Sequence, residues 1–152
     1  MNISHREAIS VLNNLIETCK DGENGFQTAA EGIKDSQLKS LFNSYAQQRA
    51  QFASELQREV RRLGGQPEDS GSVTASIHRG WMNIKSAVTG EDKAAIISEC
   101  ERGEDVAVKT YKEALNANLP ADIRVIVEQQ YAKIQEAHDK IRSLEKATSF
   151  QK

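Results

Sequence analysis

Apolar residues recur every three or four positions through four long stretches of this chain, the spacing of one buried helix face. In each stretch a polar residue interrupts the stripe: Glu23, Arg49, Glu104 and His138. Amphipathic helices must cover their apolar stripes by packing together, so the four interruptions are expected to meet inside one bundle.

The first stripe runs through Leu12, Ile16, Cys19, Glu23, Phe26, Ala30 and Ile33. Asp35-Ser36 offers a helix start, and Leu38, Phe42, Tyr45, Arg49, Phe52, Leu56 and Leu63 continue the rhythm until Gly64-Gly65 stops it. With so short a connection, helices one and two should form an antiparallel hairpin. Gly64 to Ser72 reads as a loop. Val73, Ile77, Trp81, Ile84 and Val88 then predict a short helix over Val73 to Val88. Helix two should be about 40 Å long, and the crossover, about 65–90, has enough chain to return along its whole length. Helix three carries Ile97, Glu101, Glu104, Val108, Tyr111 and Leu115. Helix four opens near Pro120 and carries Ile123, Val127, Tyr131, Ile134, His138, Ile141 and Leu144. No period-two strand pattern competes. The fold class expected is all-α, one four-helix-bundle domain over 1–152 with a long crossover that contains a short helix.

At 1.5 Å per residue the polar interruptions all fall roughly 20–28 Å from one end of such a bundle. The expected buried polar layer is therefore Glu23, Arg49, Glu104 and His138, with Glu101 one turn from Glu104 able to join it or replace it.

Charge and composition narrow the function classes. Lys and Arg number 20 against 22 Asp and Glu, a net charge of -2, and no long basic block suggests a nucleic-acid partner. Arg58, Arg61 and Arg62 read as a solvated helix face. No apolar run approaches the roughly 20 residues of a membrane span, and the first residues lack the apolar core of a secretory signal. A cytoplasmic protein is expected, with self-association open and its protein partner unknown. Cys19 and Cys100 are too few for a disulfide framework and read as small core residues. No phosphate loop, nucleophile elbow or zinc-protease pattern nominates a catalytic residue.

Several tracts carry a family resemblance: Leu15-Ile16-Glu17-Thr18-Cys19-Lys20-Asp21-Gly22, Gln47-Gln48-Arg49-Ala50-Gln51-Phe52 leading to Leu63-Gly64, Ser76-Ile77-His78-Arg79-Gly80-Trp81, and Glu101-Arg102-Gly103-Glu104-Asp105. With these the chain resembles the ferritin-like superfamily, and more closely the bacterial ferritin-like bundles grouped as domain of unknown function 2383. The resemblance implies a metal pattern of one Glu on each of helices one and three and a Glu-x-x-His on each of helices two and four. Glu23, Glu104 or Glu101, and His138 match parts of that pattern. Arg49-x-x-Phe52 and Gln135-x-x-His138 depart from it. A guanidinium is permanently cationic and cannot ligate a metal.

Two readings follow. The favoured one is a non-enzymatic binding or structural module without a cofactor, its metal site degenerated to an Arg-Glu-His network. The alternative is a di-iron or di-manganese oxidoreductase or iron-handling protein, with iron or manganese held by Glu23, Glu101, Glu104 and His138.

Overall fold

The computed structural model describes residues 3–68 and 80–150. Its helices are α1 (Ile3–Gly32), α2 (Ser36–Arg62), α3 (Ile84–Thr89), α4 (Lys93–Leu115) and α5 (Ala121–Phe150). The four long ones are the helices one to four expected from the periodicity, and α3 is a short helix in the crossover. No strand occurs among the described residues.

Each turn is held by a specific polar contact. The Asp35 carboxylate accepts the backbone N–H groups of Gln37 and Leu38 at 3.0 and 3.1 Å and caps α2. At the other end of α2, Gly64 adopts φ +85, and the Gly65 N–H reaches back to the Val60 carbonyl at 2.9 Å. Asp92 caps α4 through the Ala95 N–H. The Arg124 guanidinium donates to the carbonyls of Leu115 and Ala117 at 2.6 and 2.8 Å, which binds the start of α5 to the end of α4.

Cross-helix contacts give the directions. Cys19 meets Tyr111, while Gly32 and Ile33 lie beside Ile96, so α1 and α4 run antiparallel. Asp35 pairs with Lys93 and Arg49 with Glu104, so α2 and α4 run parallel. The crossover therefore travels the length of the bundle, as the length of the intervening segment requires.

Of the expected helix Val73 to Val88, the described residues are helical from Ile84. Residues 73–79 lie outside the described residues, and residues 80–83 are turn rather than helix. The reason is Gly80, whose φ of +95 is incompatible with a right-handed helix. A Cβ there would come within 2.9 Å of the α4 backbone at Arg102 and Gly103. The turn delivers Trp81 between α1 and α4, where it is buried and stands edge-on to Phe26 at 5.0 Å between ring centroids.

The apolar core has two parts. One contains Leu12, Leu15, Ile16, Leu56, Val60, Tyr111, Ile123 and Val127. The other surrounds Phe26, Phe42, Trp81, Ile96, Ile97 and Ile141. On α4 and α5 the expected stripe is buried at Ile97, Glu104, Tyr111, Ile123, Val127, Ile134 and Ile141, but at the positions between them the buried residue is a neighbour of the expected one. Cys100, Gly103, Ala107, Ala114, Gln130 and Ala137 are buried, whereas Glu101, Val108, Leu115, Tyr131 and His138 sit at the margin. Small side chains take the tightest part of the helix contact, and the larger ones beside them cover its edge.

Candidate functional site

Between the two halves of the core, Arg49 of α2 and Glu104 of α4 form a fork. Nη1 donates to Oε1 at 2.5 Å and Nη2 to Oε2 at 2.7 Å. Their side chains are 1% and 0% exposed. Arg49 Nε also donates to the Gln48 side chain at 3.3 Å, and the guanidinium lies 5.4 Å from the centre of the Phe26 ring. Burial alone would lower the pKa of Arg49, but the charge and hydrogen bonds of Glu104 more than offset this and raise it. The guanidinium therefore keeps its charge in the core. The same burial, with Glu104 nearby, pushes the half-buried Tyr45 hydroxyl up to about 12.

Of the five residues expected in one layer, only Arg49 and Glu104 pair in the centre. On α1 the position facing the guanidinium is Gly22, whose Cβ would stand 3.3 Å from Arg49 Nη1. Glu23 follows it by one residue, about 100° round the helix, and pairs instead with Lys20 at 3.7 Å with its side chain 22% exposed. His138 lies on the outer side of the α4–α5 seam, its side chain 12% exposed, with Nε2 2.6 Å from Asp105 Oδ1 and Nδ1 3.5 Å from Asp139. Burial acts to lower its pKa, but Asp105 and then Asp139 outweigh that and raise it. Glu101 is beside it, with Oε1 4.0 Å from Arg142 Nε. Its pKa is raised to about 7, first by the facing carboxyl of Glu145 and then by burial. Glu101 and His138 thus belong with Asp105, a residue outside the expected layer.

A second buried polar chain went unread in the sequence. Tyr111 donates its hydroxyl proton to Gln130 Oε1 at 2.7 Å. Since a phenol has one proton, the Cys19 thiol must be the donor in its 3.1 Å contact with the Tyr111 oxygen. Gln130 in turn donates to the Phe52 carbonyl at 3.4 Å. The available signal was a glutamine between Val127 and Ile134 at helical spacing.

Both cysteines are free and buried. Burial, partly countered by the Tyr111 contact, pushes Cys19 up to about 11. Burial and the charges of Glu104 and Glu99 raise Cys100 well above the usual thiol range. At pH 8 a thiol with the pKa of Cys19 would be about one part in a thousand thiolate. Native protein is therefore expected to resist iodoacetamide at both positions, with full labelling after denaturation. Fast labelling of either cysteine in the native state would contradict the packing described.

The di-metal pattern does not fit this centre. Both oxygens of Glu104 are occupied by a guanidinium, α1 presents a glycine at that height, and Glu23 is turned away. Each missing carboxylate removes charge that a pair of divalent ions requires.

A mutant of Dps1 from Mycobacterium smegmatis has a similar structure, with a TM-score of 0.81 over 95% of this chain and 99% of that chain. The identity is 11%, so the likeness establishes the ferritin-like bundle and its long crossover. No curated protein matches the chain. The family match spans α1 to the end of α4 and leaves out α5, which carries His138. Over residues 7–117 the sequence matches the family described as "Domain of unknown function (DUF2383)", and the chain belongs to that family.

Proposed function

We propose that this ferritin-like bundle is a non-enzymatic binding or structural module whose central layer is held by an internal cation, the Arg49 guanidinium, in place of metal. The observation that carries this reading is the two-pronged Arg49–Glu104 bond, sealed between the two halves of the core. Charge neutralisation there is complete without an ion, and the pair presents no open position to oxygen or a substrate. Function then resides on the outer surface of the helices. A cytoplasmic setting suits two free cysteines buried in the core.

Metal analysis of protein purified without chelators tests the reading. The expected result is no iron or manganese that depends on Glu104. Stoichiometric iron or manganese that disappears in Glu104→Gln would overturn it and favour the metal-dependent oxidoreductase or iron-handling protein, with Glu23, Glu101, Glu104 and His138 as ligands.

A further inference from the structure

The outer side of the α4–α5 seam gathers metal-ligating groups that the central pair does not use. Glu101 and Asp105 are one turn apart on α4, and His138 reaches over from α5; one donor atom from each lies within 4.8 Å of the others. The carboxyl of Glu145 adjoins that of Glu101.

Hydrogen bonding leaves this cluster incomplete. Ionised carboxylates only accept, and one imidazole supplies at most two donors. The His138 donors are directed at Asp105 and Asp139. Glu101 Oε2 is the one buried side-chain polar atom among the described residues without a partner. The cation nearest Glu101 is Arg142, 4.0 Å from the other carboxylate oxygen and largely exposed, while Arg102 is engaged with Glu99 at 2.8 Å. A buried acceptor with no donor has a cost, which either a proton held between Glu101 and the facing Glu145 carboxyl or a bound cation would offset.

We propose that Glu101, Asp105 and His138 form a mononuclear site for a borderline divalent metal such as zinc, on the α4–α5 seam and outside the bundle core. One imidazole with two carboxylates suits zinc or a neighbouring first-row ion better than calcium or magnesium, which favour all-oxygen sets. Ligand bonds near 2.1 Å in a tetrahedral arrangement put donors roughly 3.4 Å apart. His138 and Asp105 would separate slightly from their 2.6 Å contact, and the wider spacings, none above 4.8 Å, would close. Glu145 or water supplies the fourth position. The seam site shares no residue with the Arg49–Glu104 pair, but it does use Glu101 and His138, which a metal in the core would claim, so the two are distinguished by whether binding depends on Asp105 or on Glu23 and Glu104.

Calorimetric titration of the chelator-stripped full chain with zinc chloride tests it. One equivalent should bind, with affinity reduced about a hundredfold or more in Asp105→Asn and in His138→Gln. Both positions are at the surface edge, so circular dichroism of these variants should match the parent. Glu23→Gln should titrate like the parent. Absence of zinc uptake by the parent, or uptake unchanged in Asp105→Asn and His138→Gln, overturns the site. A second equivalent lost in Glu23→Gln would instead overturn the reading of the core.

Discussion

Arg49→Ala is expected to destabilise the bundle by about 3–5 kcal/mol, the range for breaking a buried ion pair from one side. The two charges are almost fully enclosed. Removing the guanidinium leaves Glu104 with neither counter-ion nor hydrogen-bond donor, because both its oxygens are held by Arg49. A cavity beside Gly22 and Phe26 adds to the loss. Replacing both partners should behave differently. Arg49→Met combined with Glu104→Leu fills similar volume without leaving a charge behind, and such exchanges are often neutral or stabilising. Urea denaturation of Arg49→Ala and of the double variant measures this directly. If Arg49→Ala costs less than about 1 kcal/mol, the value of an exposed pair, the layer is open to water and the proposed function loses its support. If the double variant is as unstable as Arg49→Ala, packing rather than charge is what Arg49 contributes.

The parts of the fold that depend on periodicity and punctuation could be read from the chain. Four stripes, an Asp35 cap and a Gly64 stop gave the long helices, and the distance to be crossed gave the route between α2 and α4. The site was less legible because helix faces differ by only about 100° per residue. A stripe drawn through the largest apolar residues selects Val108, Leu115 and Tyr131 along with the buried Tyr111 and Ile134, whereas Gly103, Ala107, Ala114 and Ala137 are buried where Val108, Leu115 and Tyr131 are only partly so. One residue of difference thus places Glu101 and His138 at the rim, and on α1, whose apolar stripe is otherwise buried as expected, it sets Gly22 rather than Glu23 against Arg49. The pairing of Arg49 with Glu104 survived because both lie on the inner face under either reading. A small residue facing a long cation has no signature in hydropathy; only the neighbouring volume reveals it.

The same logic makes Gly103→Ala the other large effect. Isolated from its surroundings, this change in a helix interior should stabilise by about 1 kcal/mol through helix propensity. Here the added Cβ would fall 2.1 Å from Trp81 Cε2, and Gly25 on α1 closes the opposite wall, with its own Cβ position 2.3 Å from the ring. The indole has no room to move aside, so it must leave the slot. Exposing a buried Trp costs about 3–5 kcal/mol, for a net loss of roughly 2–4 kcal/mol after the propensity gain. Trp81 is the chain's single tryptophan, which lets fluorescence follow the event: native Gly103→Ala should emit at longer wavelength than the parent. The cycle with Trp81→Ala separates the causes. Once the indole is gone, Gly103→Ala should cost nothing and regain part of the helix propensity, so the two changes are strongly non-additive. Additive losses, or unshifted emission from Gly103→Ala, would mean that α1 and α4 part to admit the methyl group and that Trp81 does not fix their spacing.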